Sequence, residues 1–200
     1  MEHLYQEIYE NYLRGRFGEN WAQEIDAATL KERKYFKRKG LLPRVSKALG
    51  ILKGLYPQTI LDIGIGRLNF LCPLLEELPQ VNITSVDNVP YRTELVSPLV
   101  KMYPNYQVIE GDIQLSLKNT FDVVTALEVM EHVPDTEAFV KTVLALTNKY
   151  VIISVPSKPD DNPEHVHFFT PDEIEYWFKP HTVKMDGVLN HHVALIIKNK

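Results

Sequence analysis

The sequence predicts an α/β fold: a mostly parallel sheet ending in an antiparallel C-terminal strand and preceded by a helical extension. Three observations carry it. From Thr59 onward, short β-branched apolar runs ending in polar residues alternate with amphipathic stretches, the alternation of a parallel sheet. Two late apolar runs, HTVKM and HHVALIIKN, lie close enough to pair antiparallel around Asp186 to Asn190. Before Thr59 the pattern is helical, broken near Gly15 to Gly18 and at Gly40. A chain of 200 residues, 44% hydrophobic and 24% charged, falls within the range of one compact domain.

The strands are expected at 59–64, 82–87, 106–112, 121–128 and 150–156. Between them LCPLLEEL, YRTELVSPLVKMY and EAFVKTVLALTN place apolar residues at helical spacing, with Pro73 and Pro98 marking starts or kinks. Thr170 can cap the next helix, with Pro171 at its first position and Glu173 completing a capping box ahead of Ile174, Trp177 and Phe178.

Composition narrows the setting. The net charge of −4 argues against general affinity for nucleic acid, although residues 31–40 with Arg44 and Lys47 are locally basic, either as a solvated face or as an anion contact. The single Cys72 cannot form an intramolecular disulfide and reads as a buried structural thiol, which fits a reducing compartment. The first residues hold no apolar run long enough for a signal peptide or membrane span, so a cytoplasmic protein without membrane partners is expected.

In open α/β sheets ligands sit outside the carboxyl ends of the strands, and here those ends are acidic. The first strand runs into Asp62-Ile63-Gly64-Ile65-Gly66, a turn whose glycines permit close ligand approach. A dinucleotide site would want a glycine at Asn69, and Asp62 would repel a pyrophosphate; a cofactor with a cationic amine suits it better. Asp87 follows the turn by about the ~20 residues at which an acid meets ribose hydroxyls. Glu110-Gly111-Asp112-Ile113 could receive a purine, and Glu128 ends the fourth strand. Each carboxylate alone could equally be a helix cap or a solvated acid; four at successive strand ends imply a nucleoside site.

These residues resemble the class I S-adenosylmethionine (SAM) dependent methyltransferases: ILDIGIG their first motif, SVDN their ribose loop, EGDI their adenine loop and FDVVTALEVMEHVPD their fourth-strand signature. The likeness runs from about Thr59 to Phe178 and is nearest to the small-molecule and ubiquinone-type O-methyltransferase branch, with its ExxEH step and a later histidine before FTPDE. It implies a Rossmann-like, mostly parallel seven-stranded sheet, residues 1–56 as a helical extension or cap, and residues 57–200 as the SAM-binding domain. It also implies that Asp62, Gly64 and Gly66 line the methionine part of the cofactor, Asp87 the ribose, Asp112 and Ile113 the adenine and Glu128 the wall, with Ile63 and Asn88 beside them. The family's third glycine is replaced by Leu68, which narrows the cofactor pocket and leaves room for a noncatalytic scaffold that keeps the fold.

Methyl transfer from a sulfonium needs little beyond alignment, and a base only where the acceptor must lose a proton during attack. His132 is the leading candidate, with Glu131 and His167 as further catalytic residues and His165 nearby. The same residues carry an alternative: Glu128, Glu131 and His132 at i, i+3, i+4, joined by His165 or His167, could ligate a divalent ion. That pattern resembles the metal site of small-RNA 3'-terminal ribose 2'-O-methyltransferases; a metal is not expected, and RNA is the alternative partner to a small-molecule acceptor of oxygen or nitrogen type. His191 and His192 read as structural. The connection at 157–170 is short, so a lid must come from the N-terminal helices, whose aromatics Tyr5, Tyr9, Tyr12, Phe17, Trp21, Tyr35 and Phe36 either line it or pack the core.

Overall fold

The computed structural model describes residues 2–20, 41–113 and 117–199. The basic segment 31–40 and the aromatics Trp21, Tyr35 and Phe36 lie outside the described residues, as do the side chains of Tyr5 and Tyr9.

Two helices, α1 (Glu2–Phe17) and α2 (Pro43–Leu55), precede the first strand, β1 (Thr59–Ile63). There follow α3 (Leu71–Glu77), β2 (Asn82–Asp87), α4 (Pro90–Leu95), α5 (Ser97–Met102) and β3 (Tyr106–Glu110). Then come β4 (Phe121–Leu127), a short 3-10 turn (Met130–His132), α6 (Thr136–Leu146), β5 (Thr147–Pro156), α7 (Pro171–Trp177), β6 (Thr182–Val188) and β7 (His191–Ile197). The sheet order is β3-β2-β1-β4-β5-β7-β6. The first five strands pair in parallel, and β7 pairs antiparallel with both β5 and β6. Among the described residues no helix is long and apolar enough to cross a membrane.

The local chemistry explains the elements. Pro73 falls in the first turn of α3, where its missing N–H is not needed, while Pro98 at the second position of α5 separates that helix from α4. The Thr170/Glu173 capping box forms at α7 as expected, and Asp135 caps α6 by accepting from the Ala138 N–H at 2.9 Å. The final hairpin departs from expectation. β6 runs on through Asp186 and Gly187, and the turn is only Leu189-Asn190, with Leu189 left-handed at φ 52. Asp186 stays in the strand because each residue from Thr182 to Val188 has a partner on β7. β5 likewise starts at Thr147, three residues ahead of the expected boundary, where α6 runs directly into it.

Alternation along the strands divides the core into two faces. Ile60, Ile83, Val123, Ile152 and Val193 face one side, where Ile8, Tyr12 and Leu13 of α1 and Val45, Leu49 and Leu52 of α2 cover them. Leu61, Ile63, Val86, Val124 and Ile153 face the other, against Phe139 and Val143 of α6 and Ile174 and Phe178 at α7. Each fully buried side chain of this size contributes roughly 1.5–3 kcal/mol, so α1, with three residues at most 1% exposed, is bound into the sheet's own core. Tyr12 is among those three, whereas Phe17 is exposed. Cys72 is part-buried against this cluster.

Candidate active site

The parallel strands end along one edge, and the first of these ends is the glycine turn. Gly64 (φ 84), Gly66 (φ 52) and Leu68 (φ 61) are all left-handed. A Cβ on Gly64 would lie 2.8 Å from Val129 Cγ2, whereas one on Gly66 would meet nothing within 4 Å. Gly64 is therefore needed for space as well as conformation, and Gly66 for conformation alone. Leu68 takes the backbone shape of the missing third glycine, at a cost of roughly 1–2 kcal/mol. Its side chain, 4% exposed, is packed into the core, so burial offsets that strain. Ile63 also gives its side chain to the core and only its backbone to the edge.

Asp87 builds the turn from the neighbouring strand. Its Oδ2 accepts from the Ile65 N–H at 2.9 Å and its Oδ1 from the Val89 N–H at 2.9 Å, and Arg92 Nη1 lies 3.5 Å from Oδ2. A carboxylate has about four acceptor sites, so one remains for a further donor. Asn88 beside it is exposed, as is Asp112, while Ile113 is half-buried against the core. Asp62 lies deeper. Its side chain accepts from the Thr125 hydroxyl at 2.9 Å and the Ser85 hydroxyl at 3.5 Å. Burial, only partly offset by those hydroxyls and reinforced by Asp87, pushes its carboxyl up to about 7.

Glu128, at φ 58, directly follows β4. The Ser154 hydroxyl donates to its Oε1 at 2.7 Å, His191 Nε2 to its Oε2 at 3.0 Å, and Arg44 Nε lies 3.6 Å from the same oxygen. Burial pushes its carboxyl up, but His191 and Arg44 outweigh burial and hold it below the usual range. Three residues on, Glu131 is fully buried with neither carboxylate oxygen hydrogen-bonded. Burial, and after it repulsion from Glu128, pushes it up to about 8.

The loop after β5 closes on Glu131. The Val166 and His167 N–H groups both donate to its carbonyl, at 2.9 and 3.2 Å. A turn in which the Glu164 N–H donates to Asn162 Oδ1 brings the His165 ring to 4.7 Å from the His132 ring. His132 Nδ1 donates to the Glu164 carbonyl at 2.9 Å and His165 Nδ1 to Asp160 at 2.9 Å, so in each neutral ring Nε2 keeps its lone pair. Glu131, His132 and His165 offer ligand atoms all within 4.8 Å of one another. Of the expected candidates these three converge, and the other two are engaged elsewhere. His167 is exposed and turns its Nε2 to the Pro134 carbonyl at 3.1 Å, and Glu128 is engaged by Ser154, His191 and Arg44. Of the two histidines expected to join Glu131 and His132, His165 is the one beside them, and His191 contacts Glu128. A divalent cation fits this trio, since an orphaned buried carboxylate and two imidazoles fixed through their second nitrogens are the donors such an ion takes.

A mostly parallel sheet with this order and a left-handed glycine turn braced by an acid on β2 defines a Rossmann-like cofactor-binding domain. The profile of the methyltransferase domain family matches residues 30–183. The chain belongs to that family, the class I SAM-dependent methyltransferases. It is 34% identical over 80 residues to malonyl-[acyl-carrier protein] O-methyltransferase of Halalkalibacterium halodurans, covering 38% of this chain and 30% of that one. Over 172 residues it is 28% identical to ubiquinone biosynthesis O-methyltransferase of Colwellia psychrerythraea, covering 73% of this chain and 69% of that one. The chain thus matches under a third of the first of these relatives and just over two-thirds of the second. The fold superposes on magnesium protoporphyrin IX methyltransferase of Synechocystis PCC 6803, solved with bound SAH, with a TM-score of 0.68 at 12% identity, over 88% of this chain and 97% of that one.

Proposed function

We propose that this protein transfers the methyl group of SAM to an oxygen or nitrogen of a modest-sized acceptor, with residues 1–56 as a cap over the domain that binds the cofactor. The glycine turn braced by Asp87 carries the reading, because it leaves Gly66 open at the ligand edge, with the ionised Glu128 at the end of the neighbouring strand. SAM supplies an electrophilic methyl on a sulfonium. The backbone of the turn and Asp87 orient the nucleoside, with Asn88, Asp112 and Ile113 toward its base. His132, whose Nε2 keeps its lone pair when Nδ1 donates to the Glu164 carbonyl, takes a hydroxyl's proton during attack, a contribution of typically ~10² to 10⁴-fold. The names of the two curated relatives support a small-molecule or carrier-bound acceptor, and the single Cys72 supports a cytoplasmic setting. Isothermal calorimetry tests the reading: saturable binding of SAM and SAH is expected, with Asp87→Ala weaker by ~1–3 kcal/mol. Absence of binding at millimolar SAM refutes it.

Glu131's two orphaned oxygens favour a second reading, in which Glu131, His132 and His165 hold a divalent ion that lowers the pKa of an acceptor hydroxyl, an RNA ribose among the candidates. Calorimetric titration with manganese or zinc separates the two. Binding that is lost in Glu131→Gln, together with turnover lost to EDTA while SAM binding persists, supports the ion; turnover indifferent to chelator supports the base.

A further inference from the structure

Glu128 is a carboxylate held by four separate parts of the chain. The residue itself leaves β4 in a left-handed conformation, which an ordinary side chain adopts only where its surroundings enforce it. Ser154 approaches it from β5, His191 from the start of β7 and Arg44 from the first turn of α2. The two basic partners share Oε2 and leave Oε1 to the hydroxyl, so the group cannot rotate without breaking at least one contact. It is nonetheless 22% exposed, and Val129, the next residue, packs against Gly64 of the cofactor turn. Arg44 and His191 both lie outside the motifs that identify the family.

Resting on the SAM reading above, we propose that Arg44 and His191 are positioning residues: they fix the Glu128 carboxylate as a counter-charge for the cationic cofactor, so that the site grips SAM, positive at sulfur, in preference to its neutral product SAH. A preorganised charge in a partly buried wall acts more strongly than a mobile, solvated one. A freed Glu128 would swing toward water and lose that effect on the sulfonium, whereas contacts common to SAM and SAH, through Asp87 and the glycine turn, would be untouched. The preference thus depends on two side chains that need not touch the ligand.

Calorimetry with SAM and with SAH, on wild type, Arg44→Gln, His191→Ala and His191→Gln, tests this. Arg44→Gln and His191→Ala should weaken SAM about tenfold and SAH no more than about threefold. His191→Gln, whose amide can still donate to Oε2, should stay within about threefold of wild type for both. If Arg44→Gln or His191→Ala does not fold, Arg44→Lys or His191→Leu replaces it, and each should still weaken SAM more than SAH. Equal losses for SAM and SAH would reduce the pair to a structural role and overturn the proposal, as would wild-type affinities in every variant. If the wild type binds neither ligand, the methyltransferase reading itself falls.

Discussion

Asp62→Asn measures the cost of a carboxylate placed inside a sheet. In the unfolded chain the group titrates at its ordinary 3.8; in the fold, burial outweighs the Thr125 and Ser85 hydroxyls and holds it at about 7. The folded state therefore binds the proton more tightly. The associated stability is complete below pH ~4 and lost as pH rises through 7. Each tenfold in proton affinity is worth about 1.4 kcal/mol, so the rise from 3.8 to about 7 sets a ceiling of roughly 4 kcal/mol on the stability lost between pH 4 and 8. Asparagine keeps the shape, and its amide oxygen still accepts from Thr125 at the position of Oδ1, but it has no proton to give up. Glu131, also raised, is present in both proteins and cancels in the difference. Urea denaturation of the ligand-free proteins at half-unit steps from pH 4 to 8 should show the variant gaining on the wild type, most steeply between pH 5 and 7. Parallel profiles across that range would refute the reasoning, because they would mean the carboxylate is ionised in the fold at no cost.

Other perturbations follow from the same geometry. Gly64→Ala brings a Cβ to 2.8 Å from Val129 Cγ2 at a positive φ and should abolish SAM binding, while Gly66→Ala, with open space around it, should weaken binding only a few-fold; equal effects in calorimetry would contradict the spatial argument. Leu68→Gly relieves about 1 kcal/mol of left-handed strain but gives up roughly 2–3 kcal/mol of burial, so the urea midpoint should fall; a rise would show strain to dominate. In Gly15→Ala the added methyl would clash with the Tyr91 ring, and α1 should loosen from α4, read as a lower Tm and faster proteolysis within residues 2–17; an unaltered digestion pattern would mean that Tyr91 swings aside.

The strands were legible because short runs rich in β-branched residues, TILDI, NITSVD and FDVVTAL, each run into a polar end and alternate with helical spacing. The glycine turn was legible too, since two of its three left-handed positions are glycine. Leu68 was not, because nothing in a leucine announces a left-handed backbone that core packing alone enforces. The acids at the strand ends were found as a set, but the sequence does not reveal that Asp62 is enclosed by Ser85 and Thr125, hydroxyls that come from the neighbouring strands in register. His165 and His167 are equivalent in a string of letters. Only the turn at Asn162 and the two N–H groups on the Glu131 carbonyl choose between them. His191 escaped for a similar reason: its partner is fixed by where β7 enters the sheet, a long-range choice that periodicity does not encode.

That choice also bears on how the protein is made. β7 is the latest strand in sequence, yet it occupies an interior place in the sheet, between β5 and β6. A nascent chain that has emerged only as far as α7 has already formed the apolar stretch VIISVP of β5 but has nothing to cover its outer edge. Unpaired N–H and C=O groups on such an edge are a template for pairing with another chain. Released chains truncated after α7 should therefore aggregate or recruit chaperones, and the arrival of β7 should seal the edge and bring His191 to Glu128 in the same event.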